Sequence, residues 1–154
     1  MSVLNVFPGA DAVRFVVDTS AAVELAPGAS SGFSVGLDLA SHGASKIVPI
    51  VHAGALIAGR GNLFFLATVF GRMLCETDRS FDGLCDRLSA VCNESARAIA
   101  SAAKSFGFEA SADLGEVLMA GWSRERGRMR TVAVFGDPNR PMEPFDLDEP
   151  WVTP

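Results

Sequence analysis

The stretch IVPIVHAGALIAGRGNLFFLATVFGRML, residues 47–74, changes its hydrophobic period part-way along, and that change decides the fold class. Up to Gly59 it reads as two short apolar strands, Ile47–Val51 and Ala55–Ala58, about a tight turn at His52–Gly54. Beyond GRGN, Asn62 is a side-chain N-cap, and NLFFLATVFGRML is apolar nearly all round, which predicts a well-buried helix. The next segment has a clearer helical pattern. Phe81, Leu84, Cys85, Leu88, Val91 and Cys92 recur at helical spacing from a start near Ser80, and the pattern runs on to Phe106 with Asp82, Asp86, Arg87 and Glu94 at the polar positions.

On the N-terminal side, VLNV (3–6) and the run 12–17 form a β-hairpin about FPGAD, whose Pro, Gly and Asp are turn residues. The segment between the hairpin and Ile47 is rich in Ser, Gly and Ala and reads as a long excursion, with short strands around Ala22–Leu25 and Phe33–Leu37. On the C-terminal side, GEVLMAGW and MRTVAVFG are strands about the polar turn SRERGR, with Gly127 as its hinge. The last residues, DPNRPMEPFDLDEPWVTP, are Pro-rich and acidic, with no element longer than FDL. Strands, then two helices, then strands predict an α+β fold with antiparallel sheets rather than a parallel α/β one.

The 154 residues suit one domain with a substantial core: 49% are apolar and 20% charged. A net charge of −5 argues against nucleic-acid or anionic-membrane binding, which favours a basic face. No run approaches the roughly 18 apolar residues of a membrane span, and the first residues lack the pattern of a signal peptide. A soluble, cytoplasmic protein is expected. Cys75, Cys85 and Cys92 read as buried, reduced thiols, and neither they nor His42 and His52 have zinc-ligand spacing. No metal or cofactor is expected.

Chemistry-bearing motifs are sparse. AGRGN sits at a strand-to-helix junction, where free N–H groups can hold an anion. It has neither the Lys-Ser/Thr of a phosphate loop nor the third glycine of a dinucleotide site, so it reads as a close-packed turn. Asp146, Asp148 and Glu149 read as a solvated acidic run. Ser2, Asp18 and Lys46 carry weight only as an ordered set.

That set resembles the proteasome β-subunit family of N-terminal-nucleophile (Ntn) hydrolases. Asp18 ends a strand sixteen positions after Ser2, as the family's Asp follows its N-terminal nucleophile. VVDTSAA resembles the family's apolar-Asp-Ser/Thr segment without its Arg, and SKIVPI (45–50) the stretch around the catalytic lysine. GALIAG (54–59) is similar to the strand whose closing glycine lines the oxyanion site, and VLMAGWSRERGRMRTVAV (117–134) to the later hairpin. Serine stands where the family usually carries threonine. The resemblance implies an Ntn-type domain over 2–136 with an insertion at 20–44 and a tail at 137–154. It also implies an incomplete four-layer sandwich, because the family's second half has no counterpart.

The function implied is cleavage of a peptide or small amide. Ser2 would be the nucleophile, its α-amine the base, Lys46 and Asp18 the tuning pair, and Gly59 the oxyanion N–H. A homo-oligomer is implied as well. A non-catalytic proteasome-like assembly subunit and an α+β binding domain are the other readings.

Overall fold

The computed structural model describes residues 4–17, 22–28, 32–38, 47–105, 114–136 and 141–152. Strands β1 (Leu4–Pro8) and β2 (Val13–Val17) form the expected hairpin, with Leu4 opposite Val17 and Pro8 opposite Val13. Strands β3 (Ala22–Gly28) and β4 (Gly32–Asp38) continue the sheet in the order β1-β2-β3-β4, all antiparallel. Within the excursion, β3 and β4 thus form a second antiparallel pair, with strands longer than its short apolar runs suggest.

The second sheet is antiparallel throughout, in the order β5-β6-β7-β8-β9. Its strands are β5 (Ile47–Ile50), β6 (Ala55–Gly61), β7 (Gly115–Ser123), β8 (Arg128–Gly136) and the two-residue β9 (Phe145–Asp146). A 3-10 turn over Val51–Ala53 joins β5 to β6, closed by Gly54 in the left-handed region at φ 59°, where glycine has no side-chain penalty. Gly127 at φ 59° does the same between β7 and β8.

Helix α1 (Leu63–Cys75) starts where the period changes: the Asn62 side chain accepts hydrogen bonds from the N–H groups of Phe64 (3.0 Å) and Phe65 (3.2 Å). Helix α2 (Phe81–Ser105) is capped by Ser80, whose Oγ accepts from the Gly83 N–H at 3.1 Å. Asp78 in turn accepts from both the N–H and Oγ of Ser80, which holds its carboxyl below the usual aspartate value.

The five-stranded sheet separates two cores because side chains alternate across it. On one face Ile57, Val117, Met119, Val132 and Val134 pack under Phe65, Val69, Met73, Leu84 and Leu88 of the helices. On the other, Leu56, Ala58, Leu118, Ala120 and Ala133 meet Leu4, Val6, Val13 and Phe15 of the first hairpin. The result is three layers: helices, central sheet and hairpin sheet. Among the described residues no helix is long and apolar enough to cross a membrane.

Two sequence expectations need correction. Helix α1 is buried only along Phe65, Leu66, Val69, Phe70 and Met73, whereas Leu63, Phe64 and Leu74 are exposed. A single helix lying flat on a sheet can cover only one of its faces, whatever the composition of the other. Cys75, on the uncovered side, is likewise exposed, while Cys85 and Cys92 are buried.

Residues 141–152 run across the edges of all three layers. Met142 is buried among the helices, where its N–H donates to Asn93 Oδ1 (3.2 Å) and its carbonyl accepts from Ser89 Oγ (2.6 Å). Leu147 donates its N–H to the Thr131 carbonyl and is buried on the hairpin side. Trp151 then exchanges two 2.8 Å backbone hydrogen bonds with Val6 of β1. This segment ties the helix layer to the hairpin layer around the rim of the central sheet.

Candidate functional site

Of the four residues singled out by the resemblance, Gly59 lies within the described structure; Ser2, Asp18 and Lys46 lie outside the described residues. Their chain neighbours are placed. Leu4, two residues after Ser2, pairs with Val17, the residue before Asp18. Ile47, bonded to Lys46, pairs with Ala58, the residue before Gly59. Leu4, Ile47 and Ala58 belong to one buried cluster between the two sheets.

Gly59 is buried in β6 opposite Val117. A Cβ there would stand 2.5 Å from Leu66 Cδ2 and 2.8 Å from the Glu116 carbonyl oxygen, so glycine is what lets α1 settle on this strand. The side-chain end of Leu66 can shift, but the Glu116 backbone cannot do so without disturbing the β6–β7 ladder. Gly59→Ala is accordingly expected to cost about 1–3 kcal/mol by overpacking, checked by urea denaturation; an unchanged midpoint would remove this packing role.

One strand position further, Arg60 grips its register partner Glu116 with two bonds of 2.8 and 2.9 Å. This is a paired, partly buried ion bridge that fixes the β6–β7 register.

A second polar cluster, which periodicity alone does not reveal, lies at the opposite end of the sheet. Asp82, assigned a polar position on α2, is only 8% exposed. Its Oδ2 accepts from the N–H groups of Arg124 (2.8 Å) and Glu125 (3.3 Å), so the start of α2 grips the β7–β8 turn. Ser123, also buried, reinforces the turn by accepting from the Arg126 N–H. Gly121 on β7 leaves room for the ring of Phe81, which a Cβ would strike.

Asp146 is not part of a solvated run. It pairs with Arg126 at 2.7 Å and with Arg130 at 2.5 Å, while Asp148 meets Arg128 at 3.1 Å. Strand β9 brings these acids beside β8, a juxtaposition produced by chain reversal and invisible in local spacing. Burial raises the Asp146 carboxyl, but the hydrogen bond and charge of Arg130, helped by Arg126, outweigh it and hold the pKa below the usual 3.8. A folded-state pKa lowered in this way stabilises the protein above the unfolded value and stops doing so as pH falls through the folded one. The clasp is therefore expected to persist through neutral and mildly acidic solution and to release only as the pH falls below the ordinary aspartate value of 3.8. Hydrogen exchange of the Leu147 and Trp151 amides reads this; Asp146→Asn should speed it at pH 7, and unchanged exchange would contradict the clasp.

This cluster has the makings of a structural clamp rather than a reaction centre. The Cys85 thiol beside it is pushed up to about 12 by burial, and that of Cys92 likewise, so neither is a nucleophile at neutral pH. Among the described residues no group of three His, Cys, Asp or Glu side chains is arranged to hold a metal ion. An open hollow of about 210 Å³ beside the β1–β2 turn, lined by Phe7, Pro8, Gly9, Ala12 and Arg14, is smaller than a usual small-molecule pocket. Comparison of the sequence with protein-family models and with curated proteins gives no match.

Proposed function

We propose that the chain is a proteasome β-subunit-like Ntn hydrolase that cleaves peptide or small amide bonds with Ser2. One observation carries the reading. Leu4, Ile47 and Ala58, the near neighbours of Ser2, Lys46 and Gly59 in the chain, share one buried cluster between stacked sheets, and Leu4 is paired to the residue before Asp18. Four residues spread over 58 positions of sequence thus have their flanks gathered into one region.

The chemistry asked of these groups is self-consistent. Ser2 Oγ attacks the substrate carbonyl carbon, and its proton passes to the Ser2 α-amine. The leaving amine departs with that proton and an ester remains on Ser2; water repeats the sequence and releases the acid. The α-amine has a reference pKa of about 7.7–8.0, so it is a competent base near neutrality, and a lysine ammonium nearby favours its neutral form. Asp18 balances that lysine, and the Gly59 N–H faces the developing oxyanion.

The test is covalent labelling. Protein beginning at Ser2, and so bearing a free α-amine, is treated with an electrophilic peptide probe and digested for mass spectrometry. An adduct on Ser2 that Ser2→Ala abolishes supports the reading. An unlabelled Ser2, with the protein folded by circular dichroism, overturns it in favour of the non-catalytic assembly subunit.

A further inference from the structure

We infer that residues Asp148–Val152 form a strap along the edge of β1, which restricts the proposed hydrolase to short amides by excluding extended peptides. The inference rests on the hydrolase reading above. Strand β1 stands at the edge of the hairpin sheet, where an incoming strand pairs with outward N–H and C=O groups. Trp151 holds one such position, exchanging two 2.8 Å backbone hydrogen bonds with Val6 in the antiparallel sense. Pro8, the next residue of β1 with the same orientation, has no N–H to donate, so pairing along this edge runs from Val6 toward Leu4. Only four chain positions separate Val6 from Ser2. A peptide laid along β1 from Ser2 therefore meets Trp151 within about four of its own residues.

The seat of the strap is the mouth between the two sheets. The Trp151 ring lies against Phe135, with centroids 5.3 Å apart, and packs on the rim of the inter-sheet cluster. Phe135 follows Ala133 by two positions on β8 and so shares its hairpin-facing side. Lower on the same strand, the Met129 N–H donates to the Ala10 carbonyl at 2.9 Å, which fixes β8 against the β1–β2 turn. Phe135 and Leu4 each lie six residues from that contact, so the ring that receives Trp151 is about level with Leu4.

The strap is fixed at its start and lightly held beyond it. Leu147 is buried with its N–H on the Thr131 carbonyl, and Asp146 before it is gripped by Arg126 and Arg130. After this anchor Asp148, Glu149 and Pro150 are exposed, and the pair of Asp148 with Arg128 is an exposed one that contributes little. The indole N–H of Trp151 opposes seating: it is buried with no acceptor among the described residues, and it regains water when the ring lifts. Lifting Asp148–Val152 therefore leaves the Leu147 anchor in place.

Hydrogen exchange and hydrolysis, both with protein beginning at Ser2, test this together. In the wild type the Trp151 and Val6 amides are expected to exchange about tenfold faster than the Leu147 amide, as a segment that opens by itself does. Trp151→Pro deletes the ring and one hydrogen bond of the bridge. It is expected to raise kcat/KM about tenfold for fluorogenic peptide amides of at least about four residues, and to leave that for single-residue amides unchanged. Trp151→Ala keeps the bridge and should give a smaller rise of the same kind; it decides the question if Trp151→Pro fails to fold by circular dichroism. A rise that is equal for long and short substrates, or no rise at all, overturns the strap and leaves the hydrolase standing. Exchange of Trp151 in step with Leu147 does the same. Turnover of no amide by any of the three proteins overturns the hydrolase reading, and the strap's role with it.

Discussion

Phe15→Ala is expected to lower the unfolding free energy by about 3–5 kcal/mol, the range for deleting a buried aromatic ring. Phe15 is fully buried on β2, which lies inside its sheet between β1 and β3. Its cluster holds side chains from both sheets, Val6 and Val13 from its own and Leu56, Leu118 and Ala133 from the facing one. Loss of the ring leaves a void at the junction of two layers, where neither sheet can collapse without bending. The cost is the lost burial plus the contacts of every atom lining the void. For a chain of this size the shift in melting temperature is roughly 10 °C. Phe7 is the control. It alternates to the other face of the same hairpin and is 40% exposed, so Phe7→Ala should cost under about 1 kcal/mol. Equal losses at the two positions would mean that the sheets do not stack through Phe15.

Phe7, which reads as the first residue of the turn FPGAD, lies in β1, whereas the start of α1 at Asn62 and the β7–β8 hairpin about Gly127 were readable from local sequence. Those features depend on residues within a few positions of one another. Helix α1 shows where such reading stops: an apolar residue at almost every position gives no contrast from which to tell the sheet-facing side from the open one. Asp82 and Asp146 fail for a different reason. An acid on a helix or in a tail reads as solvated unless its partner is known. The partners here, the N–H groups of Arg124 and Glu125 and the guanidiniums of Arg126 and Arg130, reach them only through tertiary pairing.

The candidate site stands between these cases. Apart from the sixteen-position step from Ser2 to Asp18, no spacing joins Ser2, Asp18, Lys46 and Gly59; their order along the chain did so, through resemblance. The structure adds the gathering of Leu4, Ile47 and Ala58 into one inter-sheet cluster, and a packing role for Gly59 that its position in a motif could not convey.

That packing role governs how the hydrolase proposal is tested by kinetics. A Gly59 variant that loses activity is uninformative, because the strand beneath α1 is disturbed at the same time. Ser2→Ala carries no such ambiguity, since it deletes one hydroxyl and keeps the α-amine. With protein beginning at Ser2 and a panel of fluorogenic peptide amides, it is expected to lower kcat by at least roughly 10³-fold, because losing a nucleophile removes the covalent route altogether. Ser2→Thr keeps a hydroxyl and should retain turnover. Lys46→Ala should also lose most activity, but through the base: without a neighbouring ammonium the α-amine titrates higher, so the residual rate should rise to its plateau at higher pH than in the wild type. Turnover retained by Ser2→Ala would end the proposal. A Lys46→Ala profile unshifted in pH would leave Ser2 as nucleophile while removing Lys46 from the tuning of its amine.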